Sequence, residues 1–474
     1  MKTNKLTFVL LFILVFFCIQ PAVLMAQQSS WSADNDGWIL RKKTGSNKYE
    51  KFFAIGLWNV PGYTFIKTNE PDNENSNAKL FLERTKNYNM TFVGEGYKKD
   101  YMKGIIQCIS SVNFPNTLKS YLDKVPSINS DKVASPYLRA QYIRKAIDNN
   151  DPKLKQALDS MINHLCQLNA DNDYAWAPID EISQGGSASF WNWPANVGDI
   201  VKERIKNKVK DGLIHTDLMG VGRGNSYLFE QLYLKTHASL PENPPMELLS
   251  KEARECVKNP LLGFRVAYDG SPVYDFNKGE YGYKEYDFET LKRLWFENIK
   301  ICAAGFKNSG DVFGINAFRD FVAYPILSGI TVDAIKAGIN PNIPVWLYFD
   351  GNGYAKSPKV STEDYVKNVK CQMYTSIVHG ATGILFWNDR SKKPEVFDAI
   401  APVVKEMKDN VKIFVLKTVE TKADNDLHYV IKQKDSKHKY IIATNTSLTN
   451  TLPINVKGVN KKSLKPLEVY VASF

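Results

Sequence analysis

Short apolar runs alternate with longer amphipathic segments between about residue 50 and residue 410. Each run holds four to eight residues of continuous apolar character, which is typical of strands buried on both faces of a parallel sheet. Nine such runs occur: "FFAIGLW" (52–58), "MTFVGEG" (90–96), "GIIQCIS" (104–110), "YAWAPIDE" (174–181), "GLIHTDLMG" (212–220), "LLGFRVAYD" (261–269), "VFGINAF" (312–318), "PVWLYFDG" (344–351) and "ATGILFWND" (381–389).

The segments between the runs carry helical spacing. In "STEDYVKNVKCQMYTSIVHG", Ser361 and Asp364 form a capping pair at the start of a helix. The apolar positions that follow recur about one turn apart, at Tyr365, Val369, Met373 and Ile377. The segment "YDFETLKRLWFENIKICAAGFKNSG" shows the same spacing at Leu291, Trp295, Ile299 and Cys302, and is predicted to end near Gly310.

Strand-like runs that alternate with helical segments predict an α/β fold, specifically a (β/α)8 barrel over residues 27–410. Nine runs exceed the eight strands of such a barrel, so one run is an insertion or an edge strand. The insertion is expected somewhere in 221–285, and the sequence does not identify the extra run.

The pattern changes after about residue 411. Short alternating strands separated by polar turns replace the helices: "VKIFVLKTVE", "LHYVIKQ", "KYIIATNTS", "TLPINVKG" and "LEVYVASF". They predict a small antiparallel β-sandwich over residues 411–474, packed on the barrel.

The first 26 residues have the form of a secretory signal peptide. A lysine-bearing start leads into an apolar stretch from Leu6 to about Ile19, and Ala26 precedes a polar segment. The bulky residues before Cys18 disfavour lipidation. No later stretch reaches the length of about 18 apolar residues that a membrane span needs. We therefore expect an exported protein, periplasmic or extracellular, without stable membrane insertion.

Net charge adds little to this picture. Removing residues 1–26 takes away two lysines and no acids, so the net charge falls from +11 to +9. The remaining lysines are scattered, and no basic block alternates with stacking aromatic residues, which disfavours a nucleic-acid partner.

The cysteines and histidines predict neither a metal site nor a disulfide scaffold. The five cysteines after residue 26 are widely spaced and odd in number, and the six histidines show no paired ligand spacing. We expect no metal and no other cofactor.

Acidic and aromatic residues gather where the predicted strands end. In a (β/α)8 barrel the chemistry lies at this edge. The candidates are Trp58, Asn59, Glu95, Asp180, Glu181, Asp217, Asp269, Arg319, Asp320, Asp350, Trp387, Asn388 and Asp389. Cleavage of a glycosidic bond needs one carboxylic acid that protonates the leaving oxygen and a second carboxylate that attacks or activates water.

Glu181 is the strongest single candidate for the acid. It closes the fourth apolar run, and Gly185 and Gly186 permit a close approach of substrate. Its neighbour Asp180 should point the opposite way along a strand, and orients Glu181 or binds a backbone amide. A helix cap is the alternative interpretation of this acidic pair.

Two stretches carry a resemblance to a known group of proteins. "KKTGSNKYEKFFAIGLWNVPGY" and "VKCQMYTSIVHGATGILFWND" resemble the opening and the last helix and strand of secreted (β/α)8 glycoside hydrolases of the β-galactosidase and cellulase clan. The resemblance implies that the acid/base glutamate closes strand four, which matches Glu181. It also implies a nucleophilic glutamate at the end of strand seven, where this chain has Asp350. The asparagine usual before the acid/base is Asp180 here.

The shorter side chain of Asp350 leaves two mechanisms open. Asp350 is the nucleophile if its backbone lies about one methylene closer to the sugar, or it activates water across a wider gap. Carboxyl separations of ~5.5 Å and ~6.5–9.5 Å indicate retention and inversion respectively. Asp217 and Asp269 compete with Asp350 for the role of second acid.

The sequence therefore predicts a glycoside hydrolase that acts on an oligo- or polysaccharide, with Glu181 and Asp350 as catalytic carboxylates. The predicted substrate-binding residues are Trp58, Asn59, Glu95, Asp180, Trp191, Trp193, Asp217, Asp269 and Trp387. Because the glutamate expected at strand seven is missing, a carbohydrate-binding barrel without catalysis is the first alternative. A structural export protein without a ligand is the second. The sugar, the linkage and the oligomeric state are left open.

Overall fold

The structure is a computed structural model, and its elements are assigned only for part of the chain. The described residues are 31–42, 48–58, 86–93, 106–110, 146, 148–167, 175–177, 195–208, 213–219, 273–275, 280–282, 288–387 and 394–474.

Strands and helices alternate along the described residues. The strands are β1 (Trp31–Ala33), β2 (Ile39–Lys42), β3 (Tyr49–Phe52), β4 (Ala54–Trp58), β5 (Met90–Val93), β6 (Ile106–Ser110), β7 (Ala175–Ala177), β8 (Leu213–Met219), β9 (Val273–Asp275), β10 (Glu280–Gly282), β11 (Val312–Asn316), β12 (Trp346–Asp350), β13 (Gly383–Trp387), β14 (Lys417–Asp424), β15 (Leu427–Gln433), β16 (Lys439–Asn445), β17 (Leu452–Pro453), β18 (Ser463–Leu464) and β19 (Val469–Ser473). The helices are α1 (Pro152–Gln167), α2 (Ala195–Lys208), α3 (Phe288–Gly305), α4 (Phe318–Ala323), α5 (Ile326–Gly338), α6 (Thr362–Val378) and α7 (Pro394–Phe414).

Eight parallel strands close into a ring in the order β4–β5–β6–β7–β8–β11–β12–β13. The first and last of them pair in register from Ala54 opposite Gly383 to Trp58 opposite Trp387. Eight of the nine predicted runs supply these strands, which confirms the prediction of an α/β chain with a parallel sheet. The ring closes without the run at 261–269, which lies outside the described residues and inside the region where the insertion was expected.

Alternate positions on the strands face two different cores. Trp346 and Tyr348 point into the ring, where they pack with residues of five other strands, whereas Leu347 and Phe349 belong to the larger core shared with the helices. This division explains why each strand reads as continuously apolar in the sequence.

Glycines make room for the large side chains inside the ring. A Cβ atom on Gly383 would lie 2.4 Å from the Trp346 ring and 2.7 Å from the Cβ of Ala54. Similarly, a Cβ atom on Gly314 would lie 2.9 Å from the His215 ring. Small and large residues therefore interdigitate in the interior, as packing in such a barrel requires.

A three-stranded antiparallel sheet, β1–β2–β3, covers the amino-terminal end of the ring. Its Trp31, Ile39 and Phe52 join the interior cluster. Phe52 contacts Trp31 edge-on at 5.4 Å and Trp346 at 6.2 Å between ring centroids. This end of the barrel is therefore filled by apolar side chains.

The carboxyl-terminal part of the chain is antiparallel, as predicted. Strands β14, β15, β16 and β19 form a four-stranded sheet, and β17 and β18 form a two-stranded one. Tyr429 and Ile441, on one face of the larger sheet, pack with Ile454 and Leu464 from the smaller sheet and its connections. The opposite face packs on α6, where Thr375 Oγ1 donates to Thr444 Oγ1 at 3.0 Å.

Helix boundaries test the predicted caps and spacing. Ser361 caps α6, since its hydroxyl accepts from the Asp364 amide at 3.0 Å, as predicted. Helix α3 ends at Gly305 rather than near Gly310, because turns occupy the residues that follow.

The strand predicted from residue 411 begins only at Lys417. Residues 411–414 are the end of helix α7. Its buried or half-buried residues Val404, Met407, Val411 and Phe414 follow helical spacing and pack in the main core. The domain boundary itself stays a prediction.

No helix in the described part of the chain is long and apolar enough to cross a membrane.

Gly383→Ala should destabilise the barrel, because its new methyl group clashes with Trp346 and Ala54. Overpacking of this kind costs about 1–3 kcal/mol in the free energy of unfolding, which urea denaturation followed by tryptophan fluorescence would measure. Gly351→Ala is the matched control, since its nearest new contact is a looser 3.2 Å to Phe386. Equal unfolding midpoints for the two variants would contradict the packing described here.

Candidate functional site at the carboxyl end of the barrel

Three of the predicted catalytic and substrate-binding residues are described with their side chains: Asp217, Asp350 and Trp387. The strand-end candidates Arg319 and Asp320 lie in α4, where Asp320 is buried. Trp58 is described as the last residue of β4, without its side chain. The other predicted site residues lie outside the described residues: Asn59, Glu95, Asp180, Glu181, Trp191, Trp193 and Asp269.

The strand register brings three of the predicted positions together. Asp350 lies opposite Trp387, and Trp387 lies opposite Trp58, at the ends of β12, β13 and β4. Because the strands are parallel, these residues share one rim of the barrel, at its carboxyl end. Their roles stay predictions.

Both carboxylate oxygens of Asp350 accept hydrogen bonds, and the residue is only 1% exposed. Oδ1 accepts from the Asn352 amide at 3.0 Å, and Oδ2 accepts from the Ala355 amide at 2.6 Å. The Tyr365 hydroxyl, on the first turns of α6, also donates to Oδ2, at 2.5 Å. Asp350 therefore ties the loop after β12 to the helix that follows it.

The loop that Asp350 holds has a tight backbone. The Asn352 side chain accepts from the Tyr354 amide at 2.9 Å, and Gly353 has a φ of +76°, a conformation that glycine adopts without strain. Asp350 and Asn352 thus fix the backbone on which Tyr354 is carried.

Tyr365 is suited to its role as a donor. Burial, together with the negative charge of Asp350 and the hydrogen bond to it, raises the pKa of the Tyr365 hydroxyl well above its ordinary value. The phenol therefore keeps its proton, and a hydrogen bond to a charged acceptor contributes about 1.5–3 kcal/mol.

Three aromatic rings lie together at the rim: Phe318, Tyr354 and Trp387. Phe318 stacks on Trp387 with ring centroids 5.2 Å apart and an angle of 17°. Tyr354 meets Trp387 edge-on at 5.1 Å and is 50% exposed. Trp387 and Phe318 are half-buried. We call these three residues the rim cluster.

Polar side chains lie deeper in the ring. His215 stacks on Trp346 at 5.7 Å, and its Nδ1 lies 3.4 Å from the Tyr348 hydroxyl. Burial lowers the pKa of His215 to about 3, so its imidazole is neutral at physiological pH. Asp217, two residues further along β8, is buried, with the Asn316 Nδ2 donating to its Oδ2 at 3.5 Å.

Sequence reasoning missed two members of the rim cluster and the deeper polar pair. Tyr354 follows the predicted strand in "FDGNGY", and Phe318 ends the run "VFGINAF", so both aromatic residues were visible beside strand ends. His215 lies in the apolar run of β8, and Tyr348 lies in that of β12. Side chains alternate between the two faces of a strand, so their positions in these runs could have indicated that they point into the ring.

The described residues include no group of three or more histidine, cysteine or acidic side chains that could hold a metal ion. The Cys302 and Cys371 thiols are buried, and burial raises the pKa of Cys371 to about 12. Neither thiol is therefore suited to act as a nucleophile.

No protein-family model and no curated protein sequence matches the chain. Solved structures match most of its length at low identity. A family 39 glycoside hydrolase from the gut symbiont Bacteroides cellulosilyticus WH2 is 11% identical, with 86% of this chain and 73% of that chain covered and a TM-score of 0.38. A cyclic α-maltosyl-(1→6)-maltose hydrolase from Arthrobacter globiformis is 9% identical, with 89% and 98% covered and a TM-score of 0.39.

An α-amylase from Anoxybacillus is 10% identical, with 89% of this chain and 97% of that chain covered and a TM-score of 0.40. Likenesses of this size carry no inference about the activity of this chain.

Asp350→Ala and Tyr365→Phe should each lower the free energy of unfolding, because each removes one partner of the same buried hydrogen bond. The double variant should be less destabilised than the two single effects added, with a coupling energy on the order of 1–3 kcal/mol. Urea unfolding of the four proteins measures the coupling. Strict additivity would contradict the structural role of Asp350.

Proposed function

We propose that this protein is an exported (β/α)8-barrel glycoside hydrolase that cleaves O-glycosidic bonds of an oligo- or polysaccharide. The substrate lies at the carboxyl end of the barrel, against the rim cluster. The proposed export, to the periplasm or the cell exterior, follows from the signal-peptide pattern of residues 1–26.

The rim cluster is the observation that carries the proposal. Trp387 and Tyr354 present apolar ring surface at the same edge as the strand-end carboxylates, although tryptophan and tyrosine are usually buried when packing alone places them. Aromatic rings with a few polar groups are the usual lining of a small-molecule site, and the C–H faces of a sugar pack against such rings. Phe318 behind Trp387 holds the indole in one orientation.

Glu181 supplies the proton in the proposed mechanism. On the chain it comes shortly after β7, the fourth strand of the ring, which supports the role that the sequence predicts for it. The carboxyl group protonates the leaving glycosidic oxygen, which requires a pKa raised towards neutrality by apolar surroundings.

The second carboxylate has three candidates. Asp350 stands at the position that the clan resemblance assigns to the nucleophile, but two amides and the Tyr365 hydroxyl already occupy its oxygens. Asp217 faces the interior beside Asn316. Asp269 is the third. An attacking carboxylate must release its hydrogen bonds to reach the sugar, which disfavours Asp350.

The same hydrogen bonds favour a second candidate function, carbohydrate binding without cleavage. If Asp350 only holds the loop, and no other acid acts as the second carboxylate, the protein binds a saccharide at its aromatic rim without hydrolysing it. Calorimetry with oligosaccharides, combined with product analysis, distinguishes binding from turnover.

Glu181→Gln should abolish hydrolysis, because glutamine cannot donate a carboxylic proton to the leaving oxygen. Loss of a general acid lowers kcat by about 10²–10⁴-fold, measured on a panel of aryl glycosides and polysaccharides. Glu395→Gln, at an exposed position on α7, is the control and should leave kcat unchanged.

Single asparagine variants of Asp217, Asp269 and Asp350 identify the second acid on the same panel. The variant that loses turnover while keeping its fold marks the reacting carboxylate. Undiminished turnover in Glu181→Gln would end the assignment of the proton donor.

Trp387→Ala should weaken oligosaccharide binding by about 10- to 100-fold, or about 1.4–2.7 kcal/mol, because an aromatic anchor is removed. Isothermal titration calorimetry on a catalytically inactive background gives the dissociation constant. Trp387→Phe is the matched control and should recover most of the affinity. Equal affinity of the alanine variant and the parent would remove the rim cluster from the site.

A further inference from the structure

A buried lysine lies where the carboxyl-terminal sheet meets the barrel. His428, Val430 and Lys432 share the barrel-facing side of β15, while Tyr429 and Ile431 face the other way. Lys432 is only 6% exposed. A lysine at such a depth is ordinarily paired with a carboxylate.

Lys432 has no carboxylate partner among the described residues. Its ammonium group donates to the Thr418 hydroxyl at 2.8 Å and lies 6.0 Å from the centre of the Trp38 ring. An ammonium group has three hydrogens to donate, so this one hydrogen bond leaves most of its capacity unused.

The charged groups that shift the pKa of Lys432 are both positive. Burial, and then the positive charges of Lys51 and Lys336, lower its pKa to about 8. Lys51 also lies over the Trp38 ring, 5.2 Å from its centre. Two ammonium groups, those of Lys432 and Lys51, therefore lie over one indole, and a third, that of Lys336, is close enough to influence Lys432.

The neighbouring acids are engaged with other groups. Asp34 and Asp36 each lie 3.7 Å from Lys51. Asp333 contacts the His379 ring at 2.7 Å and raises the pKa of Lys336, although burial lowers it more.

Lys336 itself donates to the Gly380 carbonyl at 2.9 Å. His428, on the same face as Lys432, has a pKa lowered to about 3 by burial and by His379, and it adds no negative charge. Among the described residues the acids of this junction therefore contact Lys51 or act on Lys336, and Lys432 is left without a carboxylate partner.

We infer that this junction binds an oxyanion, held by the ammonium groups of Lys432 and Lys51 and by the Thr418 hydroxyl, beside Trp38. We call these four residues with Lys336 the junction cluster. A phosphate, sulfate or carboxylate group supplies the acceptor oxygens and the negative charge that Lys432 lacks. The ligand enters from the solvent side, where Thr418 is exposed and the Lys51 side chain is 28% exposed.

The junction cluster is separate from the rim cluster. Lys336 is in the last turn of α5, whereas Lys51 lies in β3 and Trp38 directly precedes β2, in the sheet region that covers the amino-terminal end of the ring. The anion therefore bridges the amino-terminal sheet and the carboxyl-terminal sheet. The inference does not rest on the proposed glycoside chemistry.

Thermal unfolding and isothermal titration calorimetry of the full chain at pH 7 test the inference. Inorganic phosphate, sulfate and glucuronate are added separately, with sodium chloride adjusted to constant ionic strength. At least one of the three should raise the unfolding temperature saturably and bind with one site per chain, and the preferred anion distinguishes tetrahedral oxyanions from the carboxylate of an acidic sugar.

Lys432→Met should abolish the anion response, or weaken binding at least tenfold, while its unfolding temperature without anion equals or exceeds that of the parent. A neutral side chain of the same length removes the uncompensated charge, which explains that stability. Lys51→Met, at a less buried position, should weaken the same anion severalfold. Lys422→Met is the control, since that lysine is 49% exposed on β14, and it should respond as the parent does.

A pH series without anion gives an independent measurement. In the folded protein Lys432 loses its proton near pH 8, whereas the unfolded chain keeps it to about 10.5, so the parent gains stability relative to Lys432→Met as the pH rises between these values. The bound anion should move the onset of this gain to higher pH. No saturable response to any of the three anions, or an equal response in the parent and Lys432→Met, would overturn the inference.

Discussion

The pairing of the first barrel strand with the last is the constraint on which the rest of the structure depends. Residues Ala54 to Trp58 meet Gly383 to Trp387 in parallel register, and this contact closes eight strands into a ring. Closure removes both sheet edges and gathers every strand's carboxyl end at one rim. Trp58 and Trp387, which are far apart in the sequence, become neighbours through this pairing, and Asp350 joins them through the pairing of β12 with β13.

Hydrogen bonds to Asp350 order the rim at the end of β12. Its carboxylate joins the end of β12, the loop that carries Tyr354 and the first turns of α6. These hydrogen bonds fix the loop on which Tyr354 meets Trp387.

Most of the fold could be predicted from the local pattern of apolar and polar residues. Continuous apolar runs predicted eight barrel strands, and the capping pair at Ser361 predicted the start of α6, because both signals reside in neighbouring residues. The pattern could not show that the ring excludes the run at 261–269, since the partner of a strand is set by contacts distant in the sequence. It also missed the extension of α7 to Phe414, where helical spacing and an apolar strand-like run coincide.

The site was less accessible to sequence reasoning. The strand-end position of Asp350 was predictable, but the direction of its side chain depends on Tyr365, which approaches from the next helix. In the sequence, Lys432 is one of many scattered lysines. Its burial could not be predicted, because it arises only when the carboxyl-terminal sheet packs on the barrel. In both cases tertiary contacts, not local pattern, determine what the charged group does.

A crystal structure of the protein with a bound oligosaccharide tests the central claim most directly. The account predicts a sugar ring packed on Trp387 at the carboxyl end of β13, with the Glu181 carboxyl group about 2.6–3.2 Å from a glycosidic oxygen. A saccharide bound elsewhere on the chain, or Glu181 held in an ion pair away from the rim, would contradict it.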